Sequence, residues 1–358
     1  MTNGSAMTKV QRNLLKNCIM VVSGLERFTK IVLGLYLWTL KTSMSIPPTP
    51  TLILGSEGQL GSELRRALLE QIPPESLLCT DLKAGAGAGD CPFEHLDVLD
   101  EGALKDVFER FRPRRVYLLA AMLSATGEAR PRDAWKLNMD GLLRVLDWSV
   151  VTGVDRVFWP SSIAVFGPES PKSPAEQAGY MDPMTVYGIS KLSGELWCRY
   201  YHSKHGLDVR SLRYPGIISW RTPPGGGTTD YAVEIFHRAL DQGRYTGFLT
   251  ADTRLPMMYI DDAIRATLEL MDAPATKITC RTSYNLGAMD FTPAEIAAEI
   301  QKILPGFAMS FEPDFRQAIA DQWPQRVDDT LARRDWGWAP RFDLQATCRI
   351  MLDSLGQA

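Results

Sequence analysis

A glycine turn set between an apolar run and a helix restricts the fold of this chain more than any other feature. Thr51-Leu52-Ile53-Leu54 is short and apolar and reads as a buried strand. Gly55-Ser56-Glu57-Gly58-Gln59-Leu60-Gly61 follows at once, and Leu60, Leu64 and Leu68 then recur at helical spacing until Pro73-Pro74. Strand, glycine turn, helix is the context a dinucleotide fingerprint requires. Gly55 permits the tight turn, Gly58 lets the backbone approach a pyrophosphate, and Gly61 allows close helix–strand contact. The helix N-terminus offers amide donors to phosphate. The spacing is Gly-x-x-Gly-x-x-Gly rather than Gly-x-Gly-x-x-Gly, so the position of the turn carries more weight than its glycines.

The pattern continues along the chain. Leu77-Leu78-Cys79-Thr80 reads as a second strand ending at Asp81, which lies 20 residues after Gly61. An acid there accepts hydrogen bonds from the adenosine ribose and repels a 2′-phosphate, which points to NAD rather than NADP. His95-Leu96-Asp97-Val98 places a second acid after a short strand, a candidate for the adenine edge. Arg115 to Ala121 is the next strand, helical spacing resumes from Trp135 to Val150 with Asn138 early in it, and Arg156 to Trp159 leads into Pro160-Ser161-Ser162. Alternating strands and helices imply an α/β fold, a Rossmann doubly wound parallel sheet, with ligand beyond the carboxyl ends of the strands. Gly55, Asp81, Asp97, Ala120 and Ser162 all fall at those ends. Gln59, Leu60, Leu82, Val98, Asn138, Tyr214 and Ile217 complete the expected cofactor set. The expected division is a dinucleotide domain over 48–215 and a smaller C-terminal substrate-binding α/β domain over 216–358, partly interleaved around 255–290.

Tyr187 and Lys191 are four residues apart in Thr185-Val186-Tyr187-Gly188-Ile189-Ser190-Lys191, which puts both on one face of a helix. A free tyrosine, with a pKa of about 10, is a poor base at neutral pH. A nearby ammonium favours the phenolate and moves it toward the range a general base needs. The same pair on a plain surface helix would mean nothing. Ile189, Leu192, Leu196 and Tyr200 form the apolar stripe of that helix, and Gly206 is its expected cap.

Composition narrows the classes further. The chain has 358 residues, 45% hydrophobic and 23% charged, which suits two globular domains. A net charge of -3 gives no reason to expect nucleic acid. None of the six cysteines forms a Cys-x-x-Cys pair, and only four histidines occur, so no metal site is signalled. Residues 1–47 differ: Lys9, Arg12, Lys16, Arg27, Lys30 and Lys41 stand against Glu26 alone. Such a basic, amphipathic start resembles a mitochondrial transit segment. Its longest apolar piece, Ile31 to Leu40, is too short to span a bilayer, so no stable membrane insertion is expected.

The glycine turn, Ser162 after a later strand and Tyr187-x-x-x-Lys191 together resemble the extended short-chain dehydrogenase/reductase superfamily over roughly residues 51 to 350. The resemblance implies that Tyr187 is the general base, that Lys191 lowers its pKa and bonds the nicotinamide ribose, and that Ser162 orients the reacting hydroxyl. Four longer stretches resemble the L-threonine 3-dehydrogenases of that superfamily. They run from Leu123 to Glu128, from Tyr214 to Ala232, from Leu255 to Ala263 and from Pro313 to Ala320. An amino-acid substrate needs partners for its carboxylate and ammonium. Arg221 is the candidate for the carboxylate, through a bidentate contact. Ser124, Thr185, Thr228 and Asp230 are candidates for the ammonium and hydroxyl, beside Tyr187. The Pro-Pro-Gly-Gly-Gly segment after Thr222 reads as a lid.

The resemblance implies oxidation of L-threonine at C3 to 2-amino-3-oxobutyrate, which yields aminoacetone or passes to a CoA-dependent ligase. It also implies a homodimer built on the helices around 135–150 and 191–201. Two rivals stand beside this: a UDP-hexose epimerase, which needs a long nucleotide-sugar pocket, and a non-catalytic NAD-sensing scaffold, which would not need an intact Ser/Tyr/Lys set.

Overall fold

The computed structural model describes residues 49–357 except 84, 86–88, 224 and 226. The expected targeting segment, and part of the expected lid, lie outside the described residues. Described residues from Thr49 onward form one compact unit.

The first half alternates strands and helices. β1 (Thr51–Leu54), α1 (Gln59–Leu69), β2 (Leu77–Asp81), β3 (Phe93–His95), α2 (Glu101–Phe111) and β4 (Arg115–Leu118) come first. Short helices α3 (Ser124–Ala129) and α4 (Pro131–Trp135) lead through a π turn, Lys136–Asp140, into α5 (Gly141–Thr152). β5 (Arg156–Ser162), α6 (Val186–His205) and β6 (Asp208–Tyr214) complete this half. Later come β7 (Gly216–Ile218), α7 (Tyr231–Gln242), β8 (Arg244–Gly247), β9 (Leu255–Tyr259), α8 (Ile260–Asp272), β10 (Tyr284–Asn285), β11 (Met289–Phe291), α9 (Pro293–Ile303) and β12 (Ala308–Phe311). Helices α10 (Phe315–Ala320), α11 (Thr330–Trp336) and α12 (Leu344–Gly356) close the chain.

The main sheet has seven strands in the order β10-β6-β5-β4-β1-β2-β3, and every pair in it is parallel. Both faces of such a sheet are covered, so its strands are apolar on both sides. Leu52 and Leu54 of β1 join Phe108, Leu142 and Leu146 in one core, whereas Ile53 joins Leu64 and Leu68 in the other. The order reverses between β1 and β4, and a ligand crevice opens at that switch point. The later segments form a three-stranded sheet, β11-β9-β7, and a two-stranded one, β12-β8. β10 returns to the main sheet beside β6, and α8 packs on β5 and β6.

The structure departs from simple periodicity at three places. β4 stops at Leu118, three residues short of the apolar run. β5 runs on to Ser162 and includes Pro160, whose partner is Leu212 of β6 alone, since pairing with β4 ends at Phe158. A proline fits there because no neighbour needs its missing amide. The helical run around Asn138 is interrupted by the π turn, which apolar spacing does not reveal. Two of the thiols are also less scattered than their sequence positions suggest: Cys79 and Cys91 are buried with sulfurs 3.4 Å apart, both as free thiols.

Candidate active site

The glycine turn is built by close approach. Gly55 has φ +93°, and a Cβ on it would stand 2.5 Å from the Ala120 amide nitrogen. A Cβ on Gly61 would stand 2.2 Å from the Gly55 carbonyl oxygen, so α1 can begin only with glycine there. Gly58 is different: a Cβ there would meet only the Gly55 oxygen, at 3.8 Å, so the protein's own packing does not demand a glycine. That leaves close approach from outside as the reason for it. Gly58 caps α1 with no side-chain hydrogen bond, which leaves the first-turn amides facing outward.

Two adjoining cavities share Gly55, Gly58, Leu119 and Ala121. One is lined by Asp81, Leu82, Asp97, Val98 and Ala120. Asp81 accepts from the Glu57 amide at 3.0 Å and from the Lys83 amide at 3.3 Å, which fixes its carboxylate at the end of β2. The other cavity is lined by Gln59, Leu60 and Gly61, by Ser162, Tyr187 and Lys191, by Tyr214 and Ile217, and by Ser124, Thr228 and Asp230. Two crevices meeting over an open helix N-terminus, with the Asp81 carboxylate in one, suit the two halves of a dinucleotide.

The chemistry sits where α6 meets the end of β5. Thr185 accepts from the Gly188 amide at 3.0 Å and starts the helix, so Tyr187 and Lys191 lie in its first turns. A Cβ on Gly188 would stand 2.1 Å from the Ala164 carbonyl oxygen, which lets the helix approach the strand end this closely. Burial pushes the Tyr187 phenol up to about 12, and a hydrogen bond from Ser162 works in the opposite direction. Burial pulls the Lys191 ammonium down to about 7. In the protein alone burial is the dominant influence on the Tyr187 phenol. The Lys191 ammonium donates to the Pro160 carbonyl at 2.7 Å, 4.5 Å from the centre of the Trp159 ring and 5.5 Å from that of Tyr187.

Three expected contacts are placed elsewhere. Asn138, on the π turn, lines neither cavity. It accepts from the Met122 amide at 2.8 Å and donates to Ser190 at 3.2 Å, so it braces the loop after β4 against α6. Thr185 is buried and spends its hydroxyl as the helix cap. Arg221 stacks over Trp220 and donates to Glu63 of α1 at 3.1 Å, outside the cavity lining. Its guanidinium is claimed by a carboxylate of the protein. Thr228 fits the expectation better: its hydroxyl is buried in the cavity wall with no hydrogen-bond partner among the described residues. A buried polar atom without a partner is costly, and a polar ligand would supply one. Trp323 also lines the cavity and escaped sequence reasoning. It lies just beyond the resembling stretch that ends at Ala320, and no periodicity marks it. Among the described residues no group of three or more metal-ligating side chains could hold a metal ion.

Known proteins agree with this architecture. The NAD dependent epimerase/dehydratase family matches residues 51–287. The Bos taurus protein named "L-threonine 3-dehydrogenase, mitochondrial" is 45% identical over 310 residues, covering 85% of this chain and 82% of its own. The holo form of a GalE-like L-threonine dehydrogenase from Cupriavidus necator superposes with a TM-score of 0.84 at 54% identity, covering 86% of this chain and 100% of its own. A monomeric L-threonine 3-dehydrogenase from a metagenome superposes with a TM-score of 0.83 at 44% identity, covering 86% of this chain and 99% of its own. The chain therefore belongs to the NAD-dependent epimerase/dehydratase family.

Proposed function

We propose that this protein is an NAD-dependent L-threonine 3-dehydrogenase, oxidising C3 of L-threonine to 2-amino-3-oxobutyrate. The observation that carries the reading is one cavity in which Ser162, Tyr187 and Lys191 meet the glycine turn on one side and the unpartnered Thr228 hydroxyl on the other. The names of the relatives at 45% and 54% identity support it. NAD, when bound, supplies the acceptor for the hydride from C3 and a cationic ring that favours the phenolate.

The chain's own residues do the rest. Tyr187, as phenolate, takes the proton of the C3 hydroxyl. Ser162 holds that hydroxyl toward Tyr187. Lys191 supplies positive charge beside the phenolate. Ser124, Thr228 and Asp230 face the polar groups of the amino acid. Gly55, Gly58 and the α1 amides hold the pyrophosphate, and Asp81 the ribose. Leu123, Trp323 and Ile217 give the cavity an apolar lining.

The test is NADH formation with L-threonine, compared with L-serine and L-allo-threonine. No threonine-dependent NADH from folded protein, or tight UDP-glucose binding by calorimetry, would overturn the reading. We also propose that the protein is a homodimer, that residues 1–47 direct it to mitochondria, and that its product passes to a CoA-dependent ligase. The mitochondrial designation of the bovine and porcine relatives supports the second point. Import of a fusion bearing residues 1–47 tests it.

A further inference from the structure

Behind the cavity lies a buried charged pair that the reaction as described does not use. Glu195 accepts from Arg213 at 2.8 Å on one oxygen and at 2.7 Å on the other, and both side chains are 1% exposed. The first of those oxygens also accepts from the Ser161 hydroxyl at 2.6 Å. Arg213 is in turn fixed by the Asn285 side chain at 3.0 Å and the Gln177 carbonyl at 2.9 Å.

Tyr187, Lys191 and Glu195 follow one another at four-residue intervals along α6. Lys191 donates to the Pro160 carbonyl and Glu195 accepts from the Ser161 hydroxyl, while Tyr187 lines the cavity together with Ser162. Two successive turns of one helix thus grip two consecutive residues, Pro160 and Ser161, directly before Ser162 at the end of β5. We propose that Glu195 is a positioning residue of this active site, which holds the Ser162 strand end in register with α6 and sets a carboxylate one turn from Lys191. The proposal rests on the dehydrogenase reading.

Burial opposes the positive charge of Lys191, and Cys198 and Glu195, both on the turns that follow, oppose that effect. Cys198, also close on α6, is pushed up out of the thiolate range by burial. β5 offers only the Trp159 ring, the Pro160 carbonyl and serine hydroxyls. Glu128 of α3 is at the Val186 amide and Asp147 of α5 at Tyr201, on other turns. Glu195 is therefore the carboxylate that opposes the loss of the Lys191 proton.

The experiment compares the full chain with Glu195→Gln, which keeps size and an acceptor for Ser161, and with Glu195→Gln/Arg213→Gln, which removes the unpaired buried cation left by the single change. Threonine-dependent NADH formation is followed against pH, with KM for NAD and melting temperature. The expected result is an alkaline limb of kcat lowered by about one pH unit or more in both variants, because the deprotonated lysine is reached sooner. NAD KM should change less than about two-fold, since no cofactor-facing atom is altered. Melting temperature should fall in the single variant and recover in the double. A double variant with the wild-type pH profile and kcat would overturn the proposal. An inactive wild-type enzyme would instead overturn the threonine reading itself.

Discussion

At the scale of single residues, the site holds an opposition that chemistry must resolve. Burial is the largest influence on both groups and leaves Tyr187 a weak acid at about 12 and Lys191 a weak base at about 7, so the protein by itself favours the neutral form of each between those values. Turnover needs the reverse, a phenolate beside an ammonium. Tyr187→Phe removes only the phenolic oxygen while the ring still packs, so kcat should fall by at least about 10²-fold with NAD affinity nearly unchanged. Substantial NADH production by the folded variant would remove Tyr187 as base. Lys191→Met withdraws the positive charge that favours the phenolate, so the acid limb of kcat should move upward by about one pH unit or more. An unmoved limb would mean that Lys191 does not act on the phenol. Asp81 lines the other cavity, where its proposed partner is the ribose. Its negative charge opposes a 2′-phosphate, so Asp81→Ala should narrow the preference for NAD over NADP. A wild-type enzyme that uses both cofactors equally would contradict that role.

At the scale of elements, α6 organises the site, and its legibility was uneven. The spacing of Tyr187 and Lys191, the apolar stripe and the Gly206 cap are local properties, and each is visible in sequence; Gly206 has φ +70°. The roles of Thr185, Asn138 and Arg221 are set by partners far along the chain or by backbone geometry, and spacing does not carry that information. Thr185 is a candidate for the substrate's ammonium or hydroxyl by sequence, and in the structure its hydroxyl accepts from the Gly188 amide at 3.0 Å and caps the helix. Arg221 was read toward a substrate carboxylate, yet Glu63, 158 positions away, holds it. That contact makes Arg221 an anchor between the segment after β7 and α1. Arg221→Lys should therefore lower the melting temperature along with activity, and Glu63→Gln should do the same. The stability change should be about 1 kcal/mol or less, because Arg221 is partly exposed and solvent screens the pair. If Arg221→Lys raised the threonine KM strongly in a fully stable protein while Glu63→Gln left it alone, Arg221 would return to the substrate.

At the scale of the whole molecule, the doubly wound sheet was legible because a parallel sheet repeats one pattern along the chain. The return of β10 to that sheet was not, since a two-residue strand carries no periodicity. Assembly is argued from what the fold leaves uncovered. Ile189, Leu196 and Tyr200 on α6 are 43%, 46% and 46% exposed, and Trp197 beside them is 38% exposed. Trp135 of α4 and Val151 of α5 are also exposed, at 41% and 71%. Large apolar side chains gathered on one helix differ from the scattered exposed residues any surface carries. A two-fold pairing of α5 and α6 with their mates would bury them as a self-complementary patch. One relative at 44% identity is described as monomeric, so membership of the family does not fix the state, and the stripe is the argument. Light scattering at micromolar concentration should give twice the chain mass. Leu196→Asp with Tyr200→Asp, which places four like charges across a two-fold axis, should give the monomer with the fold intact by circular dichroism. Because the same helix carries Tyr187 and Lys191, kcat should fall on dissociation even though no cavity-lining residue is changed. A wild-type chain that stays monomeric at that concentration would refute the dimer.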